Sequence, residues 1–443
     1  MSDALMVKPS FYNFVTDKKD ELIVYNSNSG TMAKYVDNLG QKVQELFEKE
    51  SFMMDYDNKL MDNLYKNKFL VDASIDEIGE HGELEKNQIF DPYLQLVILP
   101  TEQCNFRCVY CYESFDRGKM SDFTCRELVR FVEDNIDNYK GLDVGWFGGE
   151  PLEALDVVIK LSEEFLRICR ERKKVYFAGI TTNGYNLTLD TFKILKKYHV
   201  TFYQITFDGL PEFHDKQRVL ADGSGTARTI IKNLLDIQQN IKSNTFQISL
   251  RTNFSKSMLE SAKEYSEFFT ATFGSDSRFG VFWQAVEDYG YLRDESIKDD
   301  FCSVNDILSI FDKYGRHLNN NILAHNLRPG GAVCYALKRN AFVITAEGAI
   351  RKCSCYLNDE KNYYGILGDK AGVDNDKLEQ YLTSREITKD SKCYSCKKRP
   401  LCHYRNCIKT TNCPLNLLFL DEMIEASSKN EQHCKIITEA MCV

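Results

Sequence analysis

Three cysteines in one short loop carry the strongest chemical signal in the sequence. Cys104, Cys108 and Cys111 lie in a C-x3-C-x2-C spacing within TEQCNFRCVYCY, directly after the apolar run 94–100. Three thiolates can ligate three irons of a [4Fe–4S] cluster and leave the fourth iron open, whereas an electron-transfer cluster is normally closed by four cysteines. Structural zinc sites have four protein ligands, and no fourth Cys or His lies near this triplet in sequence. The spacing therefore favours an iron–sulfur cluster with one open iron.

Most of the other cysteines lie in the last quarter of the sequence. The chain has 16 cysteines, and in a reducing compartment they are expected to bind metal or to pack in the interior rather than to form disulfides. Cys393, Cys396 and Cys402 form a C-x2-C-x5-C pattern, and Cys334 and Cys353 read C-x13-G-x4-C. Because C-x2-C pairs are also zinc-ribbon units, zinc is the structural alternative for this region.

Length and composition describe an ordinary globular protein. The 443 residues are 43% hydrophobic and 27% charged, with a formal net charge of −9, so they suffice for two or three domains. A basic stripe is the usual footprint of a nucleic-acid-binding protein, and the acidic balance gives no reason to expect nucleic acid as a partner. The sequence has no export signal and no apolar run of membrane-spanning length. We therefore expect a cytoplasmic protein with no membrane partner.

The central part of the sequence alternates strand-like and helix-like segments. This alternation predicts an α/β fold, a partial (β/α)6 TIM-type barrel with a parallel sheet, because six units fall short of the full eight. The strand-like runs are 93–100, 143–147, 175–181, 201–207, 246–253 and 278–286, and clear helical patterns are 121–138, 152–172 and 257–271. In such barrels the active site lies at the C-terminal ends of the strands.

Polar and glycine-containing motifs follow five of these strands in succession. The cysteine triplet follows the first strand, Gly148-Gly149-Glu150-Pro151 the second, TNG at 182–184 the third and Asp208-Gly209 the fourth, and Asn253 ends the fifth. Each motif alone is a common turn signal. Their joint placement predicts one site at the mouth of the barrel.

The sequence divides into three predicted domains. Residues 1–90 contain no cysteine and read as a small α+β module, with a strand at 21–25, helices at 31–48 and 57–68, and an acidic solvated connector at 72–85. Such a module could recognise a partner peptide by adding it to a sheet edge, or could be a packing appendage. Residues 91–330 are predicted to form the barrel, and residues 331–443 a Cys-rich domain, which the family resemblance given below implies is an iron–sulfur domain.

The C-x3-C-x2-C loop, followed by GGEP one βα unit later, resembles the radical S-adenosylmethionine (SAM) enzymes over roughly residues 93–330. The resemblance implies that SAM chelates the open iron. One electron from the reduced cluster, supplied by a flavodoxin- or ferredoxin-type donor, then cleaves the C5′–S bond of SAM. The resulting 5′-deoxyadenosyl radical abstracts hydrogen from a substrate, and the protein positions these cofactors and excludes competing reactions.

The same resemblance implies a set of SAM-binding residues. Glu150 and the backbone of the two glycines would receive the SAM ammonium, and the aromatic ring of Tyr110 would lie beside the adenine. A hydroxyl on the fourth strand would lie near the ribose, and the arginine of an H-D-x-x-R pattern would pair with the SAM carboxylate. The latter two could instead be a plain strand residue and a surface ion pair. The residues concerned are Tyr110, Gly148, Gly149, Glu150, Thr206 and Arg218.

The C-terminal cysteines resemble those of the SPASM domain, which carries two auxiliary [4Fe–4S] clusters and brings the expected total to three. For the first auxiliary cluster the resemblance implies Cys334, Cys353 and Cys407, with either Cys355 as fourth ligand or an open iron. For the second it implies Cys393, Cys396, Cys402 and Cys413, or Cys434 in place of Cys413. The C-x4-C step from Cys402 to Cys407 departs from the usual C-x3-C.

Enzymes with a SPASM domain mostly act on ribosomally made peptides or proteins. The resemblance therefore implies a maturase whose N-terminal module holds a Cys-containing precursor peptide and whose radical chemistry closes a crosslink, most often a Cys thioether. An anaerobic sulfatase-maturating enzyme is the first alternative, although Phe147 and Ser354 replace a Gln and an Asp that many such enzymes carry. A non-catalytic zinc-binding interaction protein is the second alternative. The sequence identifies no further catalytic residue.

Overall fold

The computed structural model describes residues 5–89, 91–288, 295–303, 306, 327–329, 334–370, 372–384, 387–402, 420–429 and 434–438. Two of the expected auxiliary-cluster ligands, Cys407 and Cys413, lie outside the described residues.

Strands and helices alternate through most of the described chain. The strands are β1 (Met6–Pro9), β2 (Asn13–Lys18), β3 (Glu21–Asn26), β4 (Met32–Val36), β5 (Phe52–Met53), β6 (Leu70–Asp72), β7 (Tyr93–Ile98), β8 (Gly141–Trp146), β9 (Val175–Thr182), β10 (Val200–Thr206), β11 (Gln247–Phe254), β12 (Phe279–Ala285), β13 (Ala341–Ile344), β14 (Ala349–Arg351), β15 (Tyr363–Ile366) and β16 (Lys435–Ile437). The α-helices are α1 (Leu39–Phe47), α2 (Lys59–Lys66), α3 (Glu77–Ile89), α4 (Asp122–Asn135), α5 (Leu155–Glu171), α6 (Leu189–Lys197), α7 (Pro211–Gln217), α8 (Ala227–Asn240), α9 (Lys256–Leu259), α10 (Ala262–Phe273), α11 (Asn375–Thr383) and α12 (Leu420–Ser428).

The chain forms two compact units. The first combines residues 1–89 with 311–334 and 385–443, and the second combines residues 90–310 with 335–384. These units divide the predicted C-terminal domain, residues 331–443, between the two bodies. The reason is local pairing: β13 joins the barrel sheet, whereas β16 joins the sheet of the N-terminal residues. The boundaries of the three functional domains stay a prediction.

The second unit contains the predicted α/β fold. Strands β7 to β12 lie side by side in chain order and pair in parallel, with helices in the connections, so the fold class is confirmed. Strand β13 adds in parallel to the outer side of β7, and β14 and β15 follow as antiparallel strands. The nine-stranded sheet therefore extends beyond the six predicted strands.

Side chains alternate between the two faces of the barrel sheet, as the two-residue period of strands requires. On β8 the side chains of Leu142, Val144 and Trp146 are buried. The other face carries small residues: Gly145 pairs with Gly179 on the neighbouring strand. Both glycines line a cavity of about 420 Å³ on this face. The strand pattern thus buries one face and leaves space on the other.

The sheet of the first unit differs from its predicted form. Residues 31–48 were expected to form one helix, but the segment begins with strand β4 and becomes helical only at Leu39. Met32, Ala33 and Tyr35 are buried in β4, which pairs antiparallel with β3 and parallel with β16. These pairings stabilise the strand, and the second of them comes from residues too distant for any local pattern to show.

The acidic stretch 72–85 is not a solvated connector. Helix α3 begins at Glu77, and Glu77 and Glu85 are buried. Glu77 accepts hydrogen bonds from the Ser10 hydroxyl at 2.6 Å and from the Phe11 N–H at 2.7 Å. Arg399 donates to both carboxylate oxygens of Glu85, at 2.9 and 2.7 Å. Buried charges need such partners, and distant residues supply them here.

Across the part of the chain that the structure describes, none of the helices is both long and apolar enough to cross a membrane.

Candidate active site at the barrel mouth

The cysteine loop follows β7 and is fixed along its length by backbone hydrogen bonds. The N–H groups of Arg107 and Val109 donate to the carbonyls of Val219 and Gln217, at 2.8 and 3.0 Å, and Phe106 forms a bridge with Leu220. Within the loop, the Phe106 N–H donates to the Cys104 sulfur at 3.3 Å. The segment after α7 therefore holds the loop that carries the three predicted cluster ligands.

The glycine turn after β8 packs directly on the backbone of this loop. A side-chain carbon at Gly149 would lie 2.3 Å from the carbonyl oxygen of Gln103, and one at Gly148 would lie 2.3 Å from that of Thr101. Gly148 also has φ of +117°, a conformation that side chains disfavour. A residue with a side chain at either position would clash with the loop backbone. The first role of the GG pair is therefore to let the turn after β8 pack against the cysteine loop.

The Glu150 carboxylate lies at the centre of a buried set of donors. Its Oε1 accepts hydrogen bonds from the Leu152 N–H at 3.0 Å and the Thr182 hydroxyl at 2.7 Å, and its Oε2 accepts from the Asn183 N–H at 2.7 Å. Burial raises the pKa of Glu150 to about 7, and these hydrogen bonds oppose the shift. A carboxylate has about four acceptor positions, so one remains on Oε2. Binding of the SAM ammonium there stays a prediction.

Tyr110 is the centre of a second polar cluster. Its hydroxyl donates to Asp208 Oδ2 and accepts from Arg218 at 2.8 Å and from the Asn253 amide at 3.1 Å. Asp208 Oδ1 accepts the Asn253 N–H at 2.8 Å. Burial raises the pKa values of both Tyr110 and Asp208. Residues that follow β7 and β10 thus meet Asn253, near the C-terminal end of β11, at one point, as the strand-end rule predicts.

His214 holds the turn after β10 in place. The Asp208 N–H donates to His214 Nδ1 at 3.0 Å, and Nε2 lies 3.0 Å from the Thr226 hydroxyl. That hydroxyl donates to the Arg218 carbonyl at 2.6 Å, so Nε2 must carry the proton and the ring is neutral. Burial lowers the pKa of His214 well below its usual range. Asp215 caps the start of α8 through the N–H groups of Thr226 and Ala227.

Arg218 is buried and does not form the surface ion pair that was the alternative interpretation. It is 7% exposed, its guanidinium lies 5.6 Å from the Phe106 ring centre, and its Nε is buried without a hydrogen-bond partner. Thr206 is 8% exposed at the end of β10. Both lie at the barrel mouth, and their contacts with SAM stay predictions.

The arrangement of possible metal ligands bears on what the cysteine loop could bind. In the described ranges, no three His, Cys, Asp or Glu side chains converge on one position that could hold a metal ion. Each cysteine of a four-iron cluster binds a different iron, so its ligands do not need to converge. The glycine turn and the backbone hydrogen bonds fix the loop that carries the three cysteines, and cluster binding there stays a prediction. Cys104, Cys108 and Cys111 would hold the cluster.

Two C-terminal cysteines lie in the barrel unit beside the cysteine loop. Hydrogen bonds to Cys353 and then to Tyr112 lower the pKa of the Cys355 thiol to about 7 against the effect of burial, and the positive charge of Arg251 acts in the same direction. Cys353 is buried. Cys355 therefore lies close to Tyr112, the residue after Cys111, and its assignment as a cluster ligand stays open.

The described ligands predicted for the second auxiliary cluster lie in the first unit. Cys393, Cys396 and Cys402 are partly buried. Cys402 packs against a core cluster that includes Cys434, Ile23 and Met32, and burial raises the pKa of Cys434 to about 11. The choice between Cys413 and Cys434 stays a prediction, because Cys413 lies outside the described residues.

The sequence indicated where the site lies but not how its residues interact. Asp208 and Asn253 were noted as strand-end signals, and His214 only as part of H-D-x-x-R. Their shared contacts with Tyr110 were not predicted. The H-D pair lies within α7, where the histidine binds the turn before this helix and the aspartate caps the next helix, α8.

The sequence is similar to several known proteins. Residues 98–265 match the sequence profile of the Radical SAM superfamily. The GTP 3',8-cyclase of Campylobacter jejuni subsp. doylei is 31% identical over 217 residues, which cover 46% of this chain and 62% of that protein. The match thus spans less than two thirds of the cyclase. The cysteine-type anaerobic sulfatase-maturating enzyme of Clostridium novyi is 23% identical over 338 residues, 70% of this chain and 86% of that protein.

Two solved structures share the fold. The structure of anSMEcpe with bound AdoMet and Kp18Cys peptide aligns with a TM-score of 0.60 at 18% identity and covers 76% of this chain and 98% of that one. Streptococcus suis SuiB bound to precursor peptide SuiA aligns with a TM-score of 0.51 at 16% identity and covers 93% of this chain and 96% of that one. The second alignment includes the N-terminal residues as well as the barrel.

Proposed function

We propose that this chain, whose residues 98–265 match the Radical SAM superfamily, is a radical SAM peptide maturase that forms a crosslink in a ribosomally made precursor. Cys104, Cys108 and Cys111 would hold the cluster, which together with bound SAM would supply the radical chemistry needed to abstract hydrogen from the peptide. A Cys thioether is the proposed product. The observation that carries the proposal is the junction at the barrel mouth, where the cysteine loop, the GG turn and the Tyr110 cluster meet.

The chain's own residues give this site a fixed geometry. Gly148 and Gly149 seat the cysteine loop, and Tyr110 connects it to Asp208 and Arg218. The buried guanidinium of Arg218 can bind a carboxylate through its free Nε position. Fixed groups of this kind reduce the reorganisation that catalysis would otherwise require. We infer that they position SAM against the open iron.

A peptide substrate is supported by two lines of argument. Two proteins with this fold, anSMEcpe and SuiB, have been solved with peptides. The first unit of this chain also contains an antiparallel sheet, β2 to β4, that could bind an extended peptide at its edge. We propose that this unit binds the precursor and that the barrel modifies it.

We propose three [4Fe–4S] clusters. Cys104, Cys108 and Cys111 would hold the SAM-binding cluster, and the cysteines from Cys334 to Cys413, or Cys434 in place of Cys413, would hold the two auxiliary ones. About twelve iron atoms per chain are then expected after anaerobic purification. A chain that contains zinc alone would contradict the proposal.

A formylglycine-forming activity is the second candidate, favoured by the 23% identity to the Clostridium novyi enzyme over 86% of that enzyme's length. The two functions predict different products. Co-expression with a Cys-rich peptide and mass spectrometry should show a loss of two hydrogens with no free thiol for a thioether. A sulfatase peptide converted to an aldehyde would favour the second candidate.

The central test replaces Cys104, Cys108 and Cys111 together with Ala. We expect the variant to lose 5′-deoxyadenosine formation while it keeps auxiliary iron, because the other cysteines are untouched. The matched control is Cys169→Ala, since Cys169 is buried on α5 and should leave SAM cleavage intact. SAM cleavage that persists in the triple variant would contradict the assignment of the cluster.

A further inference from the structure

One edge of the sheet in the first unit is occupied by a strand from a distant part of the chain. The sheet has the order β16-β4-β3-β2, and β16 pairs in parallel with β4 from Lys435 opposite Ala33 to Ile437 opposite Tyr35. The strands β2, β3 and β4 follow one another closely in sequence and pair antiparallel. The three-residue β16 therefore takes the position at which an added peptide strand would extend this sheet.

The contact between β16 and β4 is short and has one side-chain anchor. Met32 and Val36, the first and last residues of β4, have no partner residue in β16. Of the three residues of β16, Ile437 is 5% exposed, whereas Lys435 is exposed and Ile436 is 42% exposed. Ile437 belongs to the apolar cluster that also contains Ala33 and Tyr35. A longer strand with an aliphatic residue at this position would make the same anchor and more backbone hydrogen bonds.

The opposite edge of the sheet is less suited to an added strand. Edge strands avoid pairing by carrying charged side chains, and β2 ends in Asp17 and Lys18. Lys18 forms an ion pair with Glu425, and Asp17 accepts a hydrogen bond from Gln44 at 2.9 Å. At the other end of β2, Lys397 donates to the Asn13 carbonyl at 3.2 Å. These contacts leave the β4 edge as the better peptide site.

We propose that β16 is a displaceable occupant of a peptide-binding edge, and that an extended segment of the precursor peptide replaces it on β4. The segment would contain five or more residues to match Met32–Val36, with an aliphatic side chain in the place of Ile437. This inference rests on the proposed peptide substrate. Its consequence is autoinhibition: peptide affinity is lowered by the fraction of chains in which β16 is docked.

The test uses a peptide that the chain itself defines. A fluorescent peptide with the sequence of residues 435–443, with Cys442→Ser, is titrated against the full chain and against a chain that ends at Cys434. We expect binding to the shortened chain to be at least about tenfold tighter, because its edge is open. A peptide with Ile437→Asp should lose this binding, whereas one with Ile436→Asp should keep it. Equal binding to both chains, or tighter binding to the full chain, would overturn the inference.

A second variant covers the case in which the shortened chain does not fold. Ile437→Asp in the full chain removes the anchor and keeps the chain length, with Ile436→Asp as its control. We expect faster hydrogen exchange of the amides at 32–36 in the first variant only, and renewed protection when the unsubstituted peptide is added. Unchanged exchange would overturn the inference. The unaltered chain should cleave SAM whatever occupies this edge, so absence of cleavage in that chain would count against the proposed function and not against this inference.

Discussion

The guanidinium of Arg218 donates a hydrogen bond to the phenol oxygen of Tyr110 at 2.8 Å and so joins the cysteine loop to the segment after β10. Replacing Tyr110 with Phe removes the acceptor for Arg218 and Asn253 and the donor to Asp208. Unpaired buried polar groups are costly, so we expect the free energy of unfolding to fall by about 2 kcal/mol. Urea unfolding under anaerobic conditions measures this change.

Tyr185→Phe is the control for that variant. Tyr185 lies in the same unit, and its ring packs edge-on against Phe106 with centres 5.9 Å apart. The substitution keeps the ring, so we expect a change within about 0.5 kcal/mol. Equal losses in the two variants would contradict a central role for the Tyr110 hydroxyl.

His214 should make stability depend on pH on the acid side. Its pKa in the folded chain lies well below 6.5 because it is buried, so below pH 6.5 the unfolded chain binds a proton that the folded chain does not. Stability therefore falls as pH drops below 6.5, with a slope approaching about 1.4 kcal/mol per pH unit. His214→Gln should reduce that slope. Melts at pH 5 to 7 measure it, and an unchanged slope would contradict the neutral buried ring.

Gly149→Ala should disrupt the cysteine loop, because the added carbon would lie 2.3 Å from the Gln103 carbonyl oxygen. We expect loss of the iron bound by the loop and at least about 2 kcal/mol of stability. Gly118→Ala is the matched control, since nothing lies within 4 Å of a carbon added there. The iron content and the absorption at about 420 nm distinguish the two variants. Full iron occupancy in Gly149→Ala would show that the close contact is not required.

Arg399→Met should destabilise the first unit strongly, because it leaves the buried Glu85 carboxylate without its bidentate partner. Removing one partner of a buried pair costs about 3 to 5 kcal/mol. The exposed pair of Lys66 and Asp62, with 72% and 34% of the side chains accessible, serves as control: Lys66→Met should cost about 0.5 kcal/mol or less. Similar effects of the two substitutions on the urea midpoint would contradict the burial argument.

The sequence predicted the barrel well because its strands depend on local patterns. The run at 175–181 became β9, Val175–Thr182, and every motif placed at a strand end lies at the barrel mouth. It predicted the first unit poorly because that unit depends on distant partners. Strand β4 is paired by residues 435–437, and the charge on Glu85 is matched by Arg399, 314 residues away. No window of sequence contains both members of either pair.

The division of the first unit has a consequence for biosynthesis. Its core joins Val24 and Tyr35 to Ile437, and Ile23 and Met32 to Leu420 and Ile424. During translation the early strands β2 to β4 lack these late core partners, while the barrel between them can complete its sheet first. Contacts of such long sequence separation form slowly, and exposed strand edges promote association during the delay. We therefore expect the sheet of the first unit, rather than the barrel, to be the part that needs a chaperone.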